Sequence, residues 1–579
     1  MKKIVFLFLL LSVFSYAFGE WSAVPDEQLM VSLPDYNSHW PKISLNNDGT
    51  YYVGYFTQNN VSGMYNLYVM HLDAEGNKLS EQNGMSVNMS ETIDSPAEWD
   101  MVSDSANNVI CAFSDNRSGE SDIYVYKLSS TGNHLWGYDG IRLSLSGDDV
   151  EPKLAELPDG GVIVAWTNDS NVAMQGLHHS GTTAFGSSPV VLSDPSGANS
   201  FSAPQIVPVE NGNFILKYCI DNGGEWTLNR HIYAQKYDQY GTAIWEEPSV
   251  ITNAGGISYN DKILSITTDN YYGIYIGWLD DRVGNERPRA YIQYVSASGA
   301  VQYENGLSLY SSSNFLSSDI HVTYDDINDE VYAAWTVRDA GNFYHFINGQ
   351  KITNHEIQWV ENGAALVSIY PLIRSCIGLF VVDGEVMVVY RNSPSGTNYF
   401  HILAMKSNSD ATSLWDSPVA IKTTHSTVDH AQVVMNSNND IVTAYESEYN
   451  FVCEFDKNSI YAQNMSWNGE LGVIEVSNDV DNVPSMFAVY PNPYGVSAAK
   501  SNGVEISFFN PKDGEVKVDI YNIRGQLVKS IANNFMQKGN QNLKWDTSNN
   551  AGKPVAMGVY LVQMKQGTRA EMKKITILK

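Results

Sequence analysis

No stretch of this chain carries apolar residues at a sustained period near 3.6, so nothing beyond its first residues reads as an amphipathic helix and an all-helical fold is excluded. Cysteine is equally scarce. The four present, Cys111, Cys219, Cys376 and Cys453, are far apart and form no C-x-x-C pair, which argues against a disulfide-built scaffold. They read as small buried hydrophobes, with a 376–453 bridge between neighbouring repeats the one pairing left open. After the N-terminal residues no apolar run approaches the roughly 20 residues that span a bilayer, so no transmembrane segment is expected in the mature chain. The chain also lacks H-E-x-x-H, G-x-S-x-G, a Walker-type glycine loop and an EF-hand loop. No catalytic residue can therefore be named, and neither a metal nor a cofactor is expected. Basic charge is short too, with 35 Lys and Arg against 64 Asp and Glu.

What is present begins with a leader. Lys2 and Lys3 precede the apolar run Ile4 to Phe14, and Ala17-Phe18-Gly19 supplies small residues for cleavage, so residues 1–19 read as a secretory signal peptide. Charge then divides the chain. Residues 485–579 hold 13 Lys and Arg against 6 Asp and Glu, a net of +7, which with the leader lysines set aside leaves −38 for residues 20–484. A body that negative repels phosphate backbones, and nucleic acid is excluded as a partner.

Eight times the body repeats a β-type apolar run that ends in an aromatic: Tyr55, Phe113, Trp166, Tyr218, Trp278, Trp335, Tyr390 and Tyr445, spaced by 52 to 60 residues. One supersecondary unit at a period near 50 residues predicts a β-propeller. Each unit has an opening segment, often with Pro (Pro41, Pro96, Pro152, Pro204), then an Asn-Gly or Asp-Gly type turn, the aromatic-ended strand, a third strand such as Ile232-Tyr233-Ala234-Gln235, and a short fourth. The expected fold is all-β: an eight-bladed propeller over residues 20–484, with seven blades as the alternative, followed by a small Ig-like β-sandwich over residues 485–579. The aromatics are expected to pack between blades. Leu29-Met30-Val31-Ser32 reads as a fourth strand without its first three, which suits ring closure by the N-terminus, although 472–477 reads the same way.

The basic tail carries an ordered motif set: Tyr490-Pro491-Asn492-Pro493, then Tyr521-Asn522-Ile523-Arg524-Gly525, Trp545-Asp546, Gly558-Val559-Tyr560, and finally Lys573, Lys574 and Lys579. It resembles the type A sorting domain of the type IX secretion system, a fold similar to the FlgD-like Ig domain. The resemblance implies an address. Such a chain would pass through the periplasm of a Gram-negative-type bacterium to the outer surface or the medium, with the secretion machinery as its partner and Pro491, Asn492, Pro493, Gly558, Tyr560, Lys573, Lys574 and Lys579 as the recognised motif.

Candidate ligand contacts come from the connections between second and third strands. Phe113-Ser114-Asp115-Asn116-Arg117-Ser118-Gly119 and Trp278-Leu279-Asp280-Asp281-Arg282-Val283-Gly284 share an aromatic-x-Asp-x-Arg-x-Gly phrase, and Arg338, Asp339 and Arg391 hold related positions. In a propeller these would ring one mouth of the channel. There arginines can grip carboxylates, as in the sialidase-type propellers the body generally resembles, but the S-x-D-x-G-x-x-W boxes of that type are absent. An Asp-x-Arg loop also satisfies itself readily as an ion pair. Glu98, Asp100, Asp148, Asp149 and Glu151 are acidic candidates by position alone, and His178-His179 reads as a solvated turn pair. The expected function is surface binding of a glycan or protein, with a carbohydrate-active hydrolase or lyase as the alternative.

Overall fold

The computed structural model describes residues 21–33, 36–80, 84–88, 98–222, 229–257, 264–284, 287–312, 315–339, 345–368, 373–393, 399–424, 426–448, 458–472, 487–490, 494–495, 503–510, 514–522, 524–537, 539–566 and 569–578. The chain divides into two compact units, Met1–Ile474 and Glu475–Lys579. The leader, Cys453, the 478–485 stretch, Pro491 to Pro493 and Lys579 lie outside the described residues.

Among the described residues the first unit is built of antiparallel sheets of four strands in sequence order, the first running Asn37–Leu45, Tyr51–Gln58, Tyr65–Leu72, Met85–Ser86. The first strands of the sheets are Asn37–Leu45, Trp99–Ser103, Asp149–Glu156, Asn199–Pro208, Ser265–Thr268, Phe315–Asp325, Ile373–Val382 and Asp429–Met435. Each touches the next, and the last touches Asn37–Leu45 again. The sheet begun by Phe315–Asp325 adds a fifth short strand, Glu356–Ile357. The last sheet has only three strands of its own. Its fourth is Leu29–Met30, paired with Ala462 and Tyr461, so the N-terminal of the two closure candidates fills that place.

Both faces of these sheets are buried, which is why their second strands are continuously apolar. One core joins Tyr52, Phe56 and Leu67 of the first sheet to Trp99, Val109 and Phe113 of the second. The core that joins last to first contains Val442, Ala444 and Ile460 with Tyr51, Val53 and Trp21. The eight repeat aromatics are 0–3% exposed, so all of them are packing groups.

Proline in the opening segments has a local cause. The first strands carry a bulge, with register shifts at 39/42, 150/153 and 202/205. The residue turned into the left-handed region is Trp40 (φ 51°), Glu151 (φ 58°) or Ala203 (φ 53°), each directly before a proline. A bulge needs no ladder hydrogen bond from the residue that follows, so an imino acid is tolerated there.

Two repeated devices were missed in the sequence. Gln175, Gln235, Gln293, Gln350 and Gln463 on third strands each donate Nε2 to a backbone carbonyl of the segment that forms or leads into the fourth strand of their own sheet (2.6–3.3 Å). A tryptophan indole then reaches the next sheet: Trp136 to His179 O, Trp245 to Ala297 O and Trp359 to Ser409 O, at 2.9–3.0 Å. Trp21 bonds Ala74 O at 2.7 Å in the same manner, so closure repeats the bracket used around the body. Cys111, Cys219 and Cys376 are buried free thiols.

The second unit is a β-sandwich. One sheet holds Phe487–Tyr490, Val504–Asn510 and Gly539–Trp545; the other holds Tyr494–Gly495, Arg569–Leu578, Gly558–Gln566, Gly514–Asn522 and Leu527–Met536. Val504, Ile506 and Trp545 from one meet Val518, Ile520, Val562 and Ile575 from the other in a single core.

Candidate functional site

Antiparallel order puts second-to-third connections and the links between sheets at one end of the body, and first-to-second turns at the other. The candidate arginines belong to the first end. There the Asp-x-Arg phrase folds onto itself. Arg117 Nε donates to Asp115 Oδ2 at 2.8 Å, and its Nη2 bonds the same oxygen. Arg282 does the same to Asp280, with Nε to Oδ1 at 2.9 Å and Nη2 to Oδ2 at 2.5 Å. Both guanidinium groups lie over a tyrosine of the third strand, Tyr124 at 4.1 Å and Tyr291 at 3.8 Å. Both aspartates are buried, and the Arg117 guanidinium is held firmly charged by Asp115. The phrase therefore acts first as a loop clamp.

Arg391 is tied differently, donating Nε to Ser375 Oγ and Nη1 to Val428 O, both at 2.8 Å. Arg338 is exposed, with Asp339 beside it half-buried. Asp281 closes a backbone bond to Gly256 O at 2.8 Å and lines an open cup of about 400 Å³ with Arg282, Gly255, Gly256 and Asn229. The eight candidates thus sit on several sheets, and no single pocket gathers them among the described residues.

The most organised polar group at this end was missed in the sequence. Glu446, one position past the aromatic Tyr445, accepts from His39 Nδ1 (2.8 Å), His430 Nδ1 (3.0 Å), Trp40 N (3.2 Å) and Asn458 Nδ2 (2.6 Å). These donors hold the carboxyl at about 2, against its burial. The same bonds raise the His430 imidazole. Because each Nδ1 lies against a carboxylate oxygen, Nδ1 is the donor in both rings. The Trp40 ring lies 6.1 Å from His430 and 5.5 Å from Tyr65. His39-Trp40 and His430 occupy the opening segments of the first and last repeats. Only closure brings them together, so no local spacing advertised the site.

The acidic candidates have structural partners. Asp149 accepts from Trp166 Nε1, Asn168 Nδ2 and Leu145 N at 2.7–3.0 Å, and burial pushes it up to about 6. Asp100 accepts from Leu154 N at 2.9 Å and lies 3.5 Å from Lys42. Thr167 donates to Glu151 at 3.1 Å. His178 lies 3.2 Å from Asp159, and His179 3.3 Å from the buried Lys127. No group of three His, Cys, Asp or Glu side chains suited to a metal occurs among the described residues.

In the second unit Trp545 is fully buried, donates to Ser548 O at 2.9 Å and packs edge-on against Tyr560, whose hydroxyl bonds Ala556 O at 2.7 Å. Asp546 accepts from Lys529 at 2.7 Å and from Ser548. Gly558 has φ 151°, which suits glycine. Lys573 and Lys574 are exposed on the last strand.

Against known proteins, the FlgD Ig-like domain family matches residues 498–570. No curated protein matches the chain. Similar solved structures include a PL25 ulvan lyase bound to a sugar ligand (10% identity, TM-score 0.42, 77% of this chain and 94% of that one) and the Dos1 propeller (10%, 0.40, 77% and 95%). PorZ, a surface component of the type IX secretion system of Porphyromonas gingivalis, aligns at 11% identity and TM-score 0.22 over 93% of this chain and 81% of its own.

Proposed function

We propose that the chain is an exported, surface-associated bacterial protein whose body, an eight-bladed propeller over residues 20–484, binds a polysaccharide or protein partner at the mouth around Glu446. Residues 485–579 serve as a type IX sorting domain that engages the secretion machinery after passage through the periplasm. The cycle of first strands and the Leu29–Met30 closure support the blade count. The ordered tail motifs and the Ig-like match support the address.

One observation carries the ligand reading: a saturated carboxylate fixes two imidazoles in one tautomer beside Trp40 and Tyr65. Aromatic faces with a few oriented polar edges are what a sugar ring requires. A glycan array probed with the full chain, Trp40→Ala and His430→Ala tests it. Glycan binding lost in both variants supports the mouth as the site; binding retained in both, or none on the array, contradicts it.

His430 also favours a second reading. A half-exposed imidazole backed by a buried carboxylate can act as an acid or base, as a hydrolase or lyase would require. Release of new sugar chain ends by the wild type, lost in His430→Ala, would favour catalysis over binding alone.

A further inference from the structure

At the other end of the body, six turns between first and second strands close alike, the first residue donating its N–H to the carbonyl of the fifth: Asn46/Thr50, Asp104/Asn108, Leu157/Gly161, Val209/Asn213, Asp269/Gly273 and Asn436/Asp440. The fourth residue of each is left-handed. It is Gly49, Asn107, Gly160, Gly212 and Asn439 in five turns and Tyr272, at φ 64°, in the remaining one. Glycine and asparagine adopt that backbone readily, whereas a tyrosine is strained by its Cβ. The strained ring is not taken into the core. Tyr272 is 49% exposed and Tyr271 64% exposed. Strain kept at a solvent-facing aromatic points from conformation to use.

The surroundings decide the use. Asp269 Oδ1 accepts from Tyr271 N and Gly273 N at 2.8 and 2.7 Å, and its Oδ2 takes the Tyr294 hydroxyl at 2.9 Å, so the turn is rigid. Asn270 Nδ2 bonds Asp326 O at 2.9 Å, joining this turn to that of the next sheet. That turn exposes Asp326, Ile327, Asn328 and Asp329, the last accepting from Tyr324 Oη at 2.7 Å. Neither turn, 269–273 or 325–329, contains a lysine or arginine.

We propose that Tyr271 and Tyr272 form a platform for a neutral glycan, independent of the mouth around Glu446. Tyrosine offers a flat apolar face with a polar rim at low entropic cost. Asp326, Asn328 and Asp329 supply acceptors for hydroxyl groups, and the same carboxylates repel an acidic sugar.

The test is isothermal titration of the full chain with neutral hexasaccharides of glucose, mannose, galactose and xylose, with a galacturonic acid hexasaccharide as the acidic control. A neutral ligand should bind. Tyr271→Ala and Tyr272→Gly should each weaken it about tenfold or more, and Tyr138→Ala, at an equally exposed tyrosine of another sheet, should leave it unchanged. Tyr272→Gly should also raise the melting temperature, because it relieves the left-handed strain. The proposal is overturned if no neutral ligand binds, if the acidic control binds better, if both tyrosine variants retain affinity, or if Tyr272→Gly melts lower. A basic peptide that binds the patch in place of every glycan also overturns it.

Discussion

Removing the charge of Glu446 should flatten the acid limb of the stability curve. The carboxyl is held at about 2 in the fold against an ordinary 4.5, a difference of about 2.5 pH units, or about 3 kcal/mol. The side chain is only 6% exposed, so solvent screens little of this. The range of about 3–5 kcal/mol for breaking a buried charge pair agrees. Because the folded value lies below the unfolded one, this stabilisation is present above pH 4.5 and disappears as pH falls toward 2. His430 runs oppositely. Its raised pKa stabilises below its ordinary 6.5 and is lost as pH rises, but half the ring is in solvent and the effect is small. His39, Asp429 and Arg391 also face this group. Urea unfolding followed by tryptophan fluorescence from pH 3 to 8 should show wild type losing stability below pH 4.5, while Glu446→Gln, weaker at neutral pH, shows a shallower loss. Parallel acid limbs in the two proteins would refute the reasoning.

Deleting residues 21–33 removes the Leu29–Met30 strand, the buried Trp21 and Val31, and should destabilise the body by about 5 kcal/mol, seen as faster proteolysis; unchanged protection would show that closure lies elsewhere. Arg282→Ala strips the clamp from a buried Asp280 and should destabilise by about 3–5 kcal/mol, with Arg282→Lys only partly restoring the melting temperature; a neutral effect would mean the arginine is held for a ligand. Deleting residues 485–579 should leave a folded body in the periplasm of the native host, and its appearance at the surface would contradict the sorting role.

Packing was legible where it repeats. The aromatic period marked the second strands because burial on both faces writes continuous apolar runs, and Leu29-Met30 stood out because a fourth strand without its first three needs a partner. The Asp-x-Arg phrases were visible as chemistry, and their self-pairing follows from the two-residue spacing, at which one guanidinium folds back onto one carboxylate. Glu446 was illegible for the opposite reason. Its partner His39 is 407 residues away, and their meeting depends on closure of the whole body. The third-strand glutamines recur in five of the repeats, yet Gln235 and Gln463 read as ordinary strand residues, because only the folded chain shows their amides fastening the following segment.

The most direct measurement is a crystal structure of the full chain soaked with the glycan that the array selects. Eight sheets in a closed ring are expected, the last completed by Leu29–Met30, with ligand density against Trp40 and His430. A ring of seven sheets, or a mouth empty at saturating glycan, would contradict it.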